Sequence, residues 1–268
     1  MKSELYDLKE KITQNPIDFP NLFQLHVHDQ YEILLFLEGD SNYIIEDRSY
    51  PLEPYDLTIV RKHQLHHMHH NSATPYHRIV LFVEPSFFTQ FKCEEYELHF
   101  ANITTNIGNK IPASIVRSSG IYDAFMELKK YSENYTINAD SPILHACIIK
   151  ILYLIHKTNQ FSLPEYPNET VSKVIQYLNN HFTENITLDI LAEKFFISKY
   201  HLCKVFVNAT GLTIHKYIQL KRFVMVRELY TEGMSLLDAS LQAGFLNYSS
   251  FYRAYTNEYG VSPTKDLT

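Results

Sequence analysis

The sequence predicts an α+β protein with an N-terminal antiparallel β-barrel, a helical segment and an all-α C-terminal domain. The chain has 268 residues, more than one typical domain, and its 45% hydrophobic content is enough for two packed cores. Short β-rich runs occupy the first third of the sequence, whereas the last third shows only helical periodicity. These observations divide the chain into a β-rich and an α-helical part.

The predicted barrel occupies residues 1–118. Its strands are short runs of β-branched and aromatic residues between positions 19 and 88, separated by turn residues at 38–41 and 46–49. The runs are YEILLFL (31–37), NYIIE (42–46), DLTIV (56–60) and HRIVLFV (77–83). Short strands at even spacing are typical of a small barrel or jelly roll.

Four polar residues in this domain are candidate site residues: His26, His28, Glu32 and His66. Side chains alternate along a strand, so His26 and His28 project to one side, where Glu32 and His66 can meet them from neighbouring strands. Three imidazoles and a carboxylate suit Zn²⁺, Fe²⁺, Mn²⁺ or Ni²⁺. A metal-free effector pocket and a structural histidine cluster are the alternatives.

A second histidine-rich stretch lies close by. It contains His63, His66, His67, His69 and His70. Because it follows the predicted strand at 56–60, we interpret it as a solvated loop in preference to a metal-binding tract.

The helical segment, residues 119–160, contains helical patterns at 119–134 and 141–159. The second has a wide apolar face formed by Ile143, Leu144, Cys147, Ile148, Ile151, Leu154 and Ile155. One side of a barrel is too narrow to cover this face, so we expect a homodimer through the helix; the alternative is that the helix packs on its own barrel. Residues 161–170, with two prolines and no periodicity, are the expected linker.

Residues 171–268 contain a first helix at 171–182 and then two helix-turn-helix outlines. In the outline at 187–211, the first apolar stripe is Leu188, Leu191, Ala192 and Phe195, and Ser198 is the expected N-cap of the second helix. In the outline at 235–263, the stripe is Leu236, Leu237, Leu241 and Ala243, Gly244 ends the helix, and Ser249 is the expected N-cap. A long helix at 213–230 joins them, with basic residues Lys216, Lys221, Arg222 and Arg227.

The second helix of each outline exposes side chains that can hydrogen-bond base edges from the major groove. The candidate DNA-binding residues are Lys199, Tyr200, His201, Lys204, Tyr248, Ser249, Ser250 and Arg253. The chain carries a net charge of −6, but residues 171–268 hold 10 Lys and Arg against 8 Asp and Glu. The positive charge therefore lies with the predicted reading helices.

These C-terminal residues resemble the AraC/XylS family of bacterial transcription regulators. The matching positions are Leu191-Ala192, Ser198, His201-Leu202, Lys204, Phe206, Gly211, Arg222, Gly244-Phe245, Ser250-Phe251, Arg253 and Gly260-Val261-Ser262-Pro263. Ala239 and Ser240 depart from the family pattern, and Val207 and Thr256 stand where a lysine is usual. The N-terminal histidines and Glu32 resemble cupin motifs, although Tyr55 replaces a usual glycine.

The resemblance implies a sequence-specific regulator, in most cases an activator, controlled by a small-molecule effector such as a sugar in a cupin-like barrel. Its implied partners are promoter DNA, the effector, a second copy of the chain and RNA polymerase. The alternatives are an effector-independent dimeric regulator with a degenerate barrel and, less favoured, a metal-dependent cupin enzyme. We expect no catalytic residues, because no paired nucleophile or acid–base motif is present, and no cofactor beyond the metal considered above.

The remaining sequence features argue against a membrane-spanning segment, a signal peptide and disulfide bonds. The apolar runs are shorter than 18 residues and the first residues lack the apolar core of a signal peptide, so we expect a cytoplasmic protein without a membrane partner. The three cysteines are far apart, which favours free thiols.

Overall fold

The computed structural model describes residues 1–18, 26–46, 48–62, 64–101, 108–134, 137–158, 169–210 and 212–267. Four predicted features lie wholly or largely outside these ranges: the start of the barrel region at Phe19, His63, Gly211 and the linker. The chain divides into two compact units, Met1–Glu165 and Tyr166–Thr268. No helix within the described ranges is long and apolar enough to span a membrane.

The described residues of the first unit form eight strands in two antiparallel sheets. They are β1 (Tyr6–Thr13), β2 (Tyr31–Glu38), β3 (Ser41–Ile45), β4 (Arg48–Pro51), β5 (Leu57–Val60), β6 (His66–His70), β7 (Tyr76–Val83) and β8 (Lys110–Ile111). One sheet has the order β1-β7-β2-β5-β8 and the other has the order β4-β3-β6. Backbone hydrogen bonds between His26 and His66, 3.0 Å in both directions, join the segment before β2 to β6.

The strands predicted at 31–37, 42–46, 56–60 and 77–83 are confirmed as β2, β3, β5 and β7. The interpretation of the histidine-rich stretch as a solvated loop is wrong. His66–His70 forms β6 and pairs with β3, and His66 is fully buried. Arg48 and Ser49, expected to belong to the turn at 46–49, are instead the first residues of β4, which also pairs with β3.

Each side of the five-stranded sheet contacts its own core. One core lies between the two sheets and includes Leu34, Phe36, Tyr43, Tyr76 and Val80. The other lies between the large sheet and the helices of this unit, since alternate residues on one strand point to opposite faces. The helices are α1 (Pro85–Gln90), α2 (Glu94–Ala101), α3 (Ala113–Ser118), α4 (Ile121–Ser132) and α5 (Pro142–Thr158).

The broad apolar face of α5 is covered within its own unit. Ile148, Ile151 and Ile155 are fully buried in the core under the helices, and α5 packs on α2 and α4. The width of this face therefore does not require a second copy of the chain to cover it, because α2 and α4 pack on it within the same unit. Ile143 and Tyr153 lie outside the core, with 38% and 41% of their surfaces exposed.

The second unit is entirely helical within the described residues. Its helices are α6 (Glu169–His181), α7 (Leu188–Lys194), α8 (Lys199–Thr210), α9 (Ile214–Thr231), α10 (Leu236–Gln242), α11 (Tyr248–Tyr259) and α12 (Pro263–Leu267). The predicted first helix, the two helix-turn-helix units (α7–α8 and α10–α11) and the joining helix α9 are confirmed. Phe223 on α9 contacts the rings of Phe245, Phe251 and Tyr255 and so anchors the second helix-turn-helix to α9.

The predicted apolar stripes of α7 and α10 are only partly buried. Leu237 and Leu241 are 50% and 45% exposed, whereas the buried positions of α10 are Ala239 and Ser240. Ser240 tolerates burial because its hydroxyl donates to the carbonyl of Leu237 at 2.8 Å. On α7, Leu191 is buried and Leu188 is 38% exposed.

Candidate effector site and nucleic-acid interface

His26, His28, Glu32 and His66 meet at one end of the barrel, as predicted, and we call them the tetrad. Their candidate ligand atoms all lie within 4.8 Å of one another. Glu32 and His66 are almost completely buried, His28 is partly buried and His26 is exposed. The tetrad is therefore a polar cluster that reaches from the barrel interior to its surface.

Hydrogen bonds to the backbone fix which nitrogen of two histidines faces the tetrad. The Nδ1 atoms of His28 and His66 lie 2.9 and 2.8 Å from the carbonyl oxygens of Gln30 and Gln64. A carbonyl only accepts, so both Nδ1 atoms carry hydrogen and both Nε2 atoms of the neutral rings present lone pairs. These Nε2 atoms lie 3.2 and 3.5 Å from Glu32 Oε2.

The electrostatics of the tetrad centre on Glu32. Tyr43 donates a hydrogen bond of 2.6 Å to Glu32 Oε1. Burial alone would raise the pKa of Glu32, but in the states where His28 and His66 also carry a proton on Nε2, their hydrogen bonds and positive charge hold this pKa well below its usual range. Burial lowers the pKa of His66 to about 4, so this ring is neutral at pH 7. His66 Nε2 is a buried atom without a hydrogen-bond partner among the described residues.

This donor set fits a divalent transition metal. Lone pairs of two imidazoles and one carboxylate converge, and each of the two rings is oriented by a backbone carbonyl, as is usual for histidine ligands. His26, His28, Glu32 and His66 would be the ligands. The same atoms can also hydrogen-bond an organic effector, so the geometry is compatible with both interpretations.

The reading helices α8 and α11 expose most of the predicted DNA-binding side chains. Lys199, Tyr200, His201 and Lys204 on α8 are exposed, and Tyr200 is 78% exposed. Lys199 forms an ion pair with Asp189 of α7. Tyr200, His201 and Lys204 are thus the prominent polar side chains of this face.

On α11, Ser249 and Arg253 are exposed, whereas Tyr248 and Ser250 are half-buried. The predicted N-cap Ser249 is wrong: Asn247 caps the helix by accepting from the Ser250 backbone N–H at 2.8 Å. The Ser250 hydroxyl donates to the Asn247 carbonyl. Tyr252, 39% exposed beside Ser249 and Arg253, was not predicted; its spacing of three residues from Ser249 places it on the same face.

Three cations of the joining helix α9 contact groups of their own unit. Arg222 donates to the carbonyls of Phe182 and Glu184 at 2.7 and 2.8 Å. Arg227 pairs with Asp266 at 3.1 Å, and Lys216 pairs with Glu258. Lys221 is buried. The basic character of α9 thus contributes mainly to packing within the domain.

Val207 and Thr256, which stand where the family usually has a lysine, direct no polar group at solvent. Val207 on α8 is 39% exposed, and Thr256 on α11 is half-buried, with its hydroxyl oxygen buried. Packing therefore accommodates threonine at position 256, whereas nothing in the structure explains valine at position 207.

The turn between α7 and α8 contains a strained residue. Phe196 has a φ of +52° and is 97% exposed, so it carries left-handed strain without burying its ring. Replacing Phe196 with glycine should stabilise the second unit by about 0.5–1 kcal/mol, because relief of strain exceeds the added freedom of the unfolded chain. Thermal melting measures this change.

The control for Phe196→Gly is Leu246→Gly in the corresponding turn of the second helix-turn-helix. Leu246 is 88% exposed and has no positive φ. Its replacement should lower stability slightly, since glycine adds only unfolded-state freedom. Equal melting shifts in the two variants would contradict the assignment of strain to Phe196.

Comparison with known proteins agrees with this architecture. The family described as "AraC-like ligand binding domain" matches residues 20–134, and that described as "Helix-turn-helix domain" matches residues 191–267. The relatives include the uncharacterized HTH-type transcriptional regulator YbfI of Bacillus subtilis, 25% identical over 86% of this chain and 80% of that protein.

Two further relatives cover even more of the chain. LumQ of Photobacterium leiognathi, named as a probable transcriptional regulator, is 25% identical over 90% of both chains. The HTH-type transcriptional activator RhaS of Escherichia coli strain SE11 is 23% identical over 92% of this chain and 86% of that protein. The matched domains and these relatives describe a regulator and not an enzyme. The chain belongs to the AraC/XylS family of transcription regulators, with a ligand-binding domain followed by a helix-turn-helix DNA-binding domain.

Proposed function

We propose that the protein activates transcription at specific promoters in the bacterial cytoplasm when a small-molecule effector occupies its barrel. The observation that carries this proposal is the pair of reading helices, α8 and α11, both joined to α9 and both exposing polar side chains. Two such helices can enter successive major grooves of one DNA face. The description of RhaS as an activator supports activation over repression.

The tetrad is the proposed effector-contacting end of the barrel. It places several hydrogen-bonding atoms at the boundary between the interior and the surface, which suits a hydroxylated ligand such as a sugar. Control requires that the effector bind one state of the protein more tightly than the other. Metal analysis of the purified protein decides whether a divalent ion also belongs to this end.

A homodimer and contact with RNA polymerase complete the proposal. A dimer would present two DNA-binding domains to neighbouring half-sites, as symmetric regulators do. The exposed strip of α5 that contains Ile143 and Tyr153 is the surface of the helical segment left for this contact.

Arg253→Ala and Lys204→Ala test base readout by the two helices. Each change should weaken binding to the specific site by about 1–3 kcal/mol and relax the preference at one or two base pairs. Selection of binding sites from random duplexes identifies the operator, and titration of each variant against specific and scrambled DNA gives the loss.

The matched control is Lys265→Ala, which removes an exposed cation from α12, outside the reading helices. It should leave the preference unchanged. An equal loss on specific and scrambled DNA for Arg253→Ala would mean that this side chain contacts phosphate only.

A further inference from the structure

The tetrad draws its side chains from both sheets. Glu32 lies on β2 of the five-stranded sheet, and His28 lies three residues before this strand begins. His66 is the first residue of β6 in the three-stranded sheet, and His26 pairs with it through backbone hydrogen bonds. The ring centres of His26 and His28 lie 4.1 and 4.8 Å from that of His66. The two sheets therefore meet at this cluster.

The atoms that surround Glu32 Oε2 are hydrogen-bond acceptors. Because the Nδ1–H groups of His28 and His66 donate to backbone carbonyls, the Nε2 atoms of the neutral rings carry lone pairs. These two atoms lie 3.2 and 3.5 Å from Glu32 Oε2, which also only accepts. A hydrogen on one Nε2 joins only that imidazole to the carboxylate. One divalent cation satisfies all three atoms together.

His66 Nε2 is the most deeply enclosed of these atoms. His66 is fully buried, and within the described residues its Nε2 has no hydrogen-bond partner. Buried polar atoms of this kind are uncommon and costly, so they indicate a missing partner. A lone pair on the Nε2 of a histidine is the usual donor to a metal ion.

The separations between the candidate ligand atoms fit one ion. Ligands that lie about 2.1 Å from a tetrahedral Zn²⁺ are roughly 3.4 Å from one another. The contacts of His28 and His66 with Glu32 Oε2, at 3.2 and 3.5 Å, are close to this value. The separations that include His26 do not exceed 4.8 Å, so small side-chain movements complete a set of four ligands.

Tyr43 holds Glu32 in the orientation that a metal ligand needs. Tyr43 lies on β3 of the three-stranded sheet and is almost fully buried, and its hydroxyl donates to Glu32 Oε1 at 2.6 Å. This bond engages Oε1 and leaves Oε2 to the two imidazoles. Partners that orient a metal ligand typically change metal affinity by about 10–100-fold. Tyr43 is thus a positioning residue and not a ligand.

We propose that the tetrad binds one divalent transition metal ion that joins the two sheets, with Tyr43 positioning Glu32 as a ligand through one oxygen. Imidazole donors favour Zn²⁺, Fe²⁺ or Ni²⁺, whereas Mg²⁺ and Ca²⁺ prefer oxygen ligands. This inference rests on the proposed function, because the ion would form part of the end of the barrel that the effector contacts.

The first experiment uses the full-length protein without a polyhistidine tag. A chelator removes bound metal, Zn²⁺ or Mg²⁺ is then titrated, and elemental analysis and melting curves are the readouts. Zn²⁺ should bind at about one ion per chain and raise the melting temperature, because an ion held by the folded tetrad stabilises the folded state. Mg²⁺ should do neither. Failure of Zn²⁺ to bind, or an equal response to Mg²⁺, would overturn the proposal.

Two variants assign the ion to the tetrad. His26→Asn removes an exposed ligand, so the unit should stay folded and bind Zn²⁺ at least about tenfold more weakly. Its matched control is His69→Asn, which removes an exposed histidine of β6 outside the tetrad and should leave the affinity unchanged. Glu32→Gln should also bind weakly and yet fold, because an amide accepts from Tyr43 and donates to an imidazole lone pair. Equal Zn²⁺ affinity in His26→Asn and His69→Asn would place the ion elsewhere and contradict the proposal.

Tyr43→Phe tests the positioning role. Its matched control is Tyr50→Phe, since Tyr50 is a buried tyrosine of the same sheet whose hydroxyl donates to Asn109 Oδ1 at 3.1 Å. Each change removes one buried hydroxyl, but only Tyr43→Phe should weaken Zn²⁺ binding, by about 10–100-fold. Competition with a chelator of known affinity measures the change. Equal affinities in the two variants would show that Tyr43 does not position Glu32.

The proposed function fails in a different assay. If the wild-type protein prefers a DNA sequence but binds no Zn²⁺, the function stands and this inference alone fails. If the protein binds Zn²⁺ at the tetrad and shows no preference for any DNA sequence, the metal site stands and the protein is not a promoter-specific regulator.

Discussion

Replacing Gly244 with alanine is expected to destabilise the second unit by roughly 3 kcal/mol or more, a large part of the stability of a domain. Gly244 has a φ of +94°, and a Cβ at this position would lie 2.2 Å from the carbonyl oxygen of Thr183. The obstacle is backbone, so no change of rotamer removes the clash. The turn after α6 and the second helix-turn-helix would have to separate, and specific DNA binding would be lost.

The control is Gly233→Ala in the turn after α9. Gly233 has a nearly equal φ of +97°, but a Cβ there would meet nothing within 4 Å. This variant should lose only the cost of left-handed strain, about 1–2 kcal/mol. Circular dichroism during heating, together with DNA titration, separates the two. Equal losses would show that the close contact with Thr183 contributes nothing.

Ile148→Glu is expected to unfold the first unit. Ile148 lies on α5 and is fully buried in the core under the helices. A carboxylate at this position has no described partner that would neutralise it. Loss of the apolar side chain and burial of a charge together should cost roughly 4 kcal/mol or more. Melting curves and the yield of folded protein measure the effect. The variant therefore cannot report on dimerisation.

Ile143→Glu provides the test of the proposed dimer. Ile143 lies on the same helix, one turn from the core positions, but 38% of its surface is exposed. A carboxylate in the first turn of a helix is also favourable, so the unit should stay folded. We expect light scattering to show a monomer for Ile143→Glu and a dimer for the wild type. A folded variant of unchanged mass would exclude this strip as the interface.

Sequence periodicity predicted which segments form strands and helices better than it predicted which of their faces are buried. The strands β2, β3, β5 and β7 were evident because β-branched and aromatic residues dominate them. Strand β6 was missed because histidine occupies both of its faces. His66 and Met68 are buried on one face, and His67, between them in sequence, lies on the other. A strand whose two faces carry the same residue type shows no hydropathy alternation. Pairing with β3 decides its structure.

The tetrad was predicted because alternation along strands, combined with a few long-range pairings, restricts where polar side chains can meet. The proximity of Lys11 to Arg78 was not predicted, because these residues become neighbours only through the pairing of β1 with β7. On α10, the leucines form a regular stripe, but the small Ala239 and Ser240 are the fully buried positions of this helix, which packs on α9. Periodicity identifies a helix without fixing which face is buried.

Arg222, Arg227 and Lys216 contact groups of their own unit, and these contacts affect how the protein searches DNA. Each cation placed on a phosphate releases condensed counterions and adds about 0.9 to the salt dependence of binding, for any sequence. Cations that contact the carbonyls of Phe182 and Glu184, or that pair with Asp266 and Glu258, do not contribute to this counterion release. Residence on random genomic DNA is then short, and the time bound to the operator depends on base contacts from α8 and α11.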